Sequence, residues 1–384
     1  MTGSLCGTNA AQAFLHKLNE TGGVGLRKYG MLAVVLSITL SAAGCSPDED
    51  AFRDQGKMAE RAEEPGGSRQ TSPDHAERPS VLGFDAEGRI LAVTDGETGG
   101  SVLYAINPDK GTSEEVIRTE LVITEAESHP SGRLLLRLDT GEGEARLRLV
   151  GDNTAENDLI VESHDIAWSW NPEEWTKLYI TAFDENWEFE VFLADASTES
   201  LQSVEDAGPF PVWLEADGVA EIIDDGDLED GGTLVDGNGT VLADNVLEFS
   251  SDGKMFAIAK AAGEGSIDYM IGSGNDDWLP VLNLPAEEQW LGLLPAEIEQ
   301  AGPGRFVTLL PAETEDGSEA SNWQPAVISA RGIRKASVMV DSPVITCSPE
   351  TSVCLSGAMR EMLFDTADGT LVNWMDKLKG DSGE

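Results

Sequence analysis

Histidine and cysteine are scarce in this chain, four of each in 384 residues, and basic side chains are outnumbered 25 to 70 by acidic ones, for a net charge of −45. Each shortage excludes something. That charge repels nucleic acid phosphates and anionic lipid head groups, so nucleic acid is not an expected partner. His75 lies in a polar stretch, and His129 and His164 are well separated, which offers little for a zinc site. Cys6 and Cys45 belong to the N-terminal region, and Cys347 and Cys354 stand without a neighbouring histidine, so they are not read as metal ligands. No HExxH run, P-loop, dinucleotide fingerprint or nucleophile elbow occurs, and no catalytic residue is assigned. Met31 to Leu40, interrupted by Ser37 and Thr39, falls short of the roughly 20 apolar residues a spanning helix needs.

That short run is nevertheless informative. Arg27 and Lys28 precede it, and Ala42, Ala43 and Gly44 follow it directly before Cys45. The layout of basic residues, apolar segment and small residues is that of an export signal. With its terminal thiol it resembles a bacterial lipoprotein signal, although Ala42 stands where that pattern more often has Leu. The resemblance implies cleavage between Gly44 and Cys45, acylation of Cys45 (palmitate among the chains), and an extracytoplasmic protein anchored to the cell membrane or the outer membrane. Val24 opens a compact leader of its own, so the first 23 residues read as an upstream extension. Residues 1–44 are therefore taken as signal peptide. Residues 45–79 are charged, bear Pro and Gly, and have too few large apolar side chains to fold, which suits a flexible acidic tether. In an oxidising compartment Cys347 and Cys354 are expected to form a disulfide if a hairpin brings them face to face.

From Ser80 the texture changes to short Val, Ile, Leu and aromatic runs between Gly, Asp, Asn and Pro clusters, the pattern of an all-β domain. Helical periods are confined to Ala286–Gln300 and the stretch after Leu371. One unit recurs: apolar strand, acidic or Gly turn, basic residue, apolar strand. Its turn residues are Gly88, Gly132, Thr176, Gly218, Gly253, Gly304 and Thr351, about 44 residues apart, the period of four-stranded propeller blades. Second hairpins follow in 101–116, 188–204, 231–246 and 360–374, the third around Gly237-Asn238-Gly239. FSSDGKMFAIA (249–259) resembles the strand–turn–strand of the WD40-like repeats of the TolB family, with CSPETSVCLSG and HPSGRLLLRL as fainter copies. The resemblance implies a single β-propeller over 80–375, seven four-stranded blades with six as the alternative, and a tail at 376–384. Basic residues after five of the turns (Arg89, Arg133, Lys177, Lys254, Arg305) are expected to lay their stems along a blade edge with the head in water.

For chemistry the acidic loops are what remains. Asp224, Asp225, Asp227, Glu229 and Asp230 could offer oxygens to Ca²⁺, though Asp230 occupies the place where a helix–loop–helix calcium site needs Gly. No other cofactor is expected. Trp168 and Trp170 alternate on one strand and share a face; packing between blades is the main expected use of the tryptophans, and a stacking platform the other. The expected function is a protein, peptide or glycan binding or scaffolding module of the cell envelope, with an envelope hydrolase or lyase using channel-mouth carboxylates as the alternative.

Overall fold

Short β-branched and leucine-rich runs punctuated by turn residues leave the chain little choice but to form meandering sheets. The computed structural model describes residues 79–379 apart from 97–98, 142–143, 152–156, 206, 215–217, 224–230, 264–265, 274–276, 286–296, 313–321 and 349. The first sheet runs β1 (Ser80–Phe84), β2 (Ile90–Asp95), β3 (Ser101–Asn107), β4 (Thr112–Thr119). The second runs β5 (Val122–Ser128), β6 (Leu134–Asp139), β7 (Glu144–Val150), β8 (Asn157–Glu162), and the third β9 (Asp165–Trp170), β10 (Lys177–Phe183), β11 (Phe189–Asp195), β12 (Ser200–Ser203). A seven-stranded sheet follows: β13 (Val212–Leu214), β14 (Gly218–Ile223), β15 (Gly232–Asp236), β16 (Val241–Ser251), β17 (Phe256–Ala262), β18 (Ser266–Gly272), β19 (Leu279–Pro285). The next comprises β20 (Ile298–Gln300), β21 (Arg305–Pro311), β22 (Trp323–Ser329) and β23 (Gly332–Lys335). The last comprises β24 (Ile345–Cys347), β25 (Val353–Ser356), β26 (Met362–Asp365) and β27 (Leu371–Asn373), and helix α1 (Trp374–Lys379) closes the described chain.

Neighbours in each sheet are consecutive in sequence, and successive sheets touch through one strand each: β9 meets β13, β16 (the fourth strand of its sheet) meets β20, β20 meets β24, and β24 and β5 both meet β1. The result is an all-β, single β-propeller around a central channel. The hydrogen bonding departs from seven separate four-stranded blades, giving five such sheets and one of seven strands among the described residues. The cause is β16, an unbroken strand whose Val241–Val246 half pairs with β15 and whose Val246–Ser251 half pairs with β17. Asn245 takes a left-handed φ of 59° and the register slips between Val246 and Glu248, so the strand bends at that point. Where a helical period was expected up to Gln300, Ile298–Gln300 is strand β20, because pairing with β21 overrides local periodicity; residues 286–296 lie outside the described ones. Helix α1 agrees with the expected period after Leu371, and its Asp376 amide donates to Asn373 Oδ1 at 3.2 Å.

Burial follows position in the sheet. Middle strands are covered on both faces, as in β2 and β6, where Ile90, Leu91, Ala92, Leu135 and Leu136 are almost wholly buried. Outer strands such as β12, and the first half of β4, are exposed and polar, which protects open edges from pairing with other chains. The apolar clusters lie between sheets: Leu147 and Leu149 of the second pack with Leu178 and Ile180 of the third. One cluster, joining Ala220, Ile222 and Leu234 to Phe256 and Ile258, unites the two halves of the seven-stranded sheet face to face. Basic residues after the turns do more than reach water. Arg89 binds Asp85 at 2.6 Å and Glu114 at 2.9 Å, and Arg133 stacks its guanidinium 3.9 Å above the Trp175 ring of the next sheet.

Among the described residues, no strand is exchanged between the first and last sheets. Instead Val81, Phe84 and Ile90 pack with Leu355, Leu363 and the fully buried Trp374. Arg360 Nη1 donates to the carbonyls of Val81 (2.9 Å) and Leu82 (2.8 Å), and its own carbonyl accepts from Trp374 Nε1 at 2.8 Å. These bonds hold Arg360 at φ 54°, a conformation a long side chain avoids unless its surroundings fix it.

Candidate binding site

The strands nearest the channel carry carboxylates at matching places in the repeat. Glu127, Glu248 and Glu299 each stand five residues before a turn glycine (Gly132, Gly253, Gly304), on β5, β16 and β20. Glu125 and Glu297 lie two residues earlier in the second and sixth copies of the repeat. Strand alternation puts Glu125 and Glu127 on one face of β5. Two guanidiniums answer them. Arg137, opposite Glu125 in the β5–β6 register, donates to Glu125 Oε1 at 2.8 Å and to Asp165 Oδ1 at 2.5 Å. Arg360, anchored as described, adds its field to Glu297, Glu299 and Glu125.

Crowding by protein raises these carboxylates. Glu127 is pushed up to about 7 by desolvation, opposed by a hydrogen bond from Trp168 Nε1 and assisted by the charges of Glu299 and Glu125. Glu248 is pushed up to about 8 by desolvation and then by Glu299. Glu297 and Glu299 act as a pair: both are raised chiefly by desolvation, they share a side-chain hydrogen bond and so a proton between them, and Glu299 also accepts the Cys347 amide. Accessible area and crowding diverge for Glu125 and Glu127, whose surfaces are exposed while protein surrounds them. Crowding sets the direction of the shift, because the solvent they touch is confined by the ring, and that water moderates its size.

Beside these carboxylates lies a cavity of about 360 Å³ with aromatic walls: Trp168, Tyr179, Phe210 and Phe249 line it together with Glu248, Glu297 and Glu299. It is held open by packed groups. Trp213 sits 4.7 Å from the Tyr179 ring and donates its Nε1 to the Ser169 carbonyl at 3.0 Å, while Phe210 packs on Phe183. One wall therefore comes from the third sheet, one from the bend of β16 and one from β20.

Residues singled out in the sequence fare differently. Cys347 and Cys354, direct partners across β24 and β25, are joined by a disulfide with an S–S distance of 2.06 Å. Cys45 and the acidic loop of Asp224, Asp225, Asp227, Glu229 and Asp230 lie outside the described residues. Among the described residues, no three His, Cys, Asp or Glu side chains are placed to hold a metal ion. His129 is a buried turn residue whose Nδ1 accepts the Ser131 amide (3.0 Å), so that Nε2–H donates to the Asn171 carbonyl (2.9 Å). Trp170, Trp213 and Trp374 are buried packing groups, whereas Trp168 reaches the cavity. Glu125, Glu127, Glu248, Glu297, Glu299 and Arg360 were not anticipated. Their shared offset from the turn glycines was the signal available, in a chain where acidic residues are common enough to hide it.

Comparison with known proteins agrees with the fold. The model of the YqgU-like 6-bladed beta propeller domain matches residues 109–357. No curated protein sequence matches the chain. Among solved structures, the uncharacterized protein lmo1340 from Listeria monocytogenes EGD-e is similar at TM-score 0.65 and 16% identity, over 77% of this chain and 93% of that one. The β-propeller domain of the Trilobed protease from Pyrococcus furiosus, described as having an open velcro topology, matches at TM-score 0.50 and 12% identity, over 76% and 93%. TolB from Acinetobacter baumannii is more distant, at TM-score 0.41 and 15% identity over 67% and 63%. The first two likenesses speak for the fold alone, and the third carries no argument. With a ring of sheets around a channel and a matched region exceeding half its length, the chain belongs to the family of YqgU-like 6-bladed beta propeller domains.

Proposed function

We propose that the protein is a lipid-anchored, extracytoplasmic binding module of the cell envelope that takes a protein, peptide or glycan segment into its channel mouth. The observation that carries this reading is the cavity of about 360 Å³, where four aromatic rings and three carboxylates converge. Its size and mixed lining are those of small-ligand sites. The test is titration calorimetry of the protein with envelope peptide and glycan fragments. Saturable binding that Trp168→Ala and Phe249→Ala weaken tenfold or more supports the reading, and binding unchanged in both variants refutes it. The anchor rests on the leader sequence and Cys45. Palmitate labelling of the wild type and its loss in Cys45→Ser would support it, and equal labelling of both would remove it.

A second reading, an envelope hydrolase or lyase, draws on one observation. Glu127 at about 7 and Glu248 at about 8 have the proton affinity a general acid needs near neutrality. Turnover of an envelope sugar or lactone, abolished in both Glu127→Gln and Glu248→Gln, would favour it over a module that only binds.

The blade count belongs to the same proposal. Because the two halves of the seven-stranded sheet pack against each other and bend at Asn245, we read that sheet as two blades sharing β16, which makes seven blade units, one more than the six in the family's description. An experimental density map showing one flat blade there would refute this count.

A further inference from the structure

We infer that the channel cavity recognises an organic cation, an ammonium or guanidinium on an apolar stem, such as a lysine or arginine side chain or a free alkylamine. This rests on the binding-module reading and names the chemistry of its ligand.

Charge around the lumen is unbalanced. Glu125, Glu127, Asp165, Glu248, Glu297 and Glu299 face two guanidiniums, and both of those are engaged. Arg137 is held between Glu125 and Asp165, and Arg360 Nη1 is committed to the Val81 and Leu82 carbonyls. Glu248 is left over. It is half-buried, crowded by protein, lines the cavity, and has no hydrogen-bond donor among the described residues. Its charged neighbours are carboxylates, Glu299 and Glu297, and Tyr269 on β18 is the other titratable group beside it. A carboxylate crowded by protein and by like charge, with no donor of its own, gains most from a ligand that supplies one.

The rest of the wall fits the same ligand. Ring faces of Trp, Tyr and Phe attract cations while also accepting a hydrocarbon stem. A compact metal ion wants several oxygens within reach of one point, and no such cluster occurs among the described residues. A diffuse organic charge beside Glu248, with Trp168, Tyr179, Phe210 and Phe249 around its stem, suits the spread of groups. Protons held by Glu248 and its neighbours in the empty site would be displaced as the cation enters.

The test is isothermal titration calorimetry on the full chain in detergent at pH 8, with the tripeptide acetyl-Gly-Lys-Gly-amide, its norleucine counterpart, and n-butylamine. Expected are at least tenfold tighter binding of the lysyl peptide than of the norleucine peptide, proton release measured by changing the buffer, and at least tenfold weaker binding in Glu248→Gln. Phe249→Ala should weaken both the lysyl and the norleucine peptides, whereas Glu248→Gln should weaken the lysyl peptide alone, which separates loss of the wall from loss of the charge. Butylamine binding as tightly as the lysyl peptide assigns the site to free amines, and a peptide preference assigns it to side chains; either supports the inference. Equal affinity for the norleucine peptide, or an unchanged Glu248→Gln, overturns the cation assignment and leaves the binding module standing. No binding of any of the three probes also overturns it, and the envelope-fragment titration then decides separately whether the module reading falls.

Discussion

Glu248 is where burial and charge oppose each other most directly. Its folded-state pKa of about 8 lies above the value near 4.3 that an unfolded chain gives a glutamate. A raised carboxylate stabilises the fold fully below the unfolded pKa, and that contribution is lost as pH rises through the folded one. Glu127, at about 7, acts in the same direction. The thermal midpoint should therefore fall between pH 5 and pH 9 as both ionise beside Glu299. Glu248→Gln, which cannot ionise, should differ little from wild type at pH 5 and be more stable at pH 9. Full burial would make this several kcal/mol; with lumen water screening the charge, ~1–3 kcal/mol is expected. Denaturant titrations at the two pH values decide it, and parallel pH profiles for the two proteins would show that Glu248 does not feel the channel. The residue was readable from the sequence only through its offset from Gly253, shared by Glu127 and Glu299 with their own glycines. Composition alone hides it, because 70 acidic residues make any one of them unremarked.

At the scale of the element, the hairpins were legible because their chemistry is local. Asp85, Asp184, Asp236 and Asp252 each turn a side-chain oxygen back onto the amides two and then three or four residues ahead, closing a tight turn without help from the rest of the fold. The repeat of these turns announces strand pairs and their spacing. Sheet boundaries are another matter. Whether β16 ends one sheet or continues into the next depends on hydrogen bonds to β15 on one side and β17 on the other, which no local pattern around Val241–Ser251 encodes. The bend is carried by Asn245 at φ 59°, a residue type that tolerates the left-handed region. Asn245→Gly should keep the thermal midpoint within a degree or two, while Asn245→Val, β-branched and disfavoured at positive φ, should cost about 1–2 kcal/mol. Equal midpoints for the two variants would mean that the strand runs straight there. The bend also bears on the site, since Glu248 and Phe249 follow directly after it; loss of affinity for the lysyl peptide in Asn245→Val, even where folding is retained, is the accompanying expectation.

The whole ring has one seam. The other main contacts between successive sheets join segments closer in sequence, whereas β24 meets β1 across nearly the full domain, and among the described residues no shared strand holds them. Chain connectivity therefore does not help the two ends stay together, and packing and Arg360 must do it. Trp374, wholly buried among Val81, Phe84, Leu355 and Leu363, supplies the apolar part, and Trp374→Ala is expected to cost about 3–5 kcal/mol in denaturant unfolding. Arg360 contributes two hydrogen bonds across the seam and is also the cation nearest the Glu297–Glu299 pair, so the seam and the ligand channel share a residue. Replacing it with leucine removes both bonds and leaves that pair facing only negative charge, at a cost of about 2–4 kcal/mol. The distribution of the damage tests closure more sharply than its size. Hydrogen exchange followed by mass spectrometry should show amides of β1 and of β24 to β26 losing protection first in Arg360→Leu, with β9 to β11, on the far side of the ring, still protected. Protection lost evenly around all the sheets would mean that the ring opens as one cooperative unit and that Arg360 only adds to its total stability.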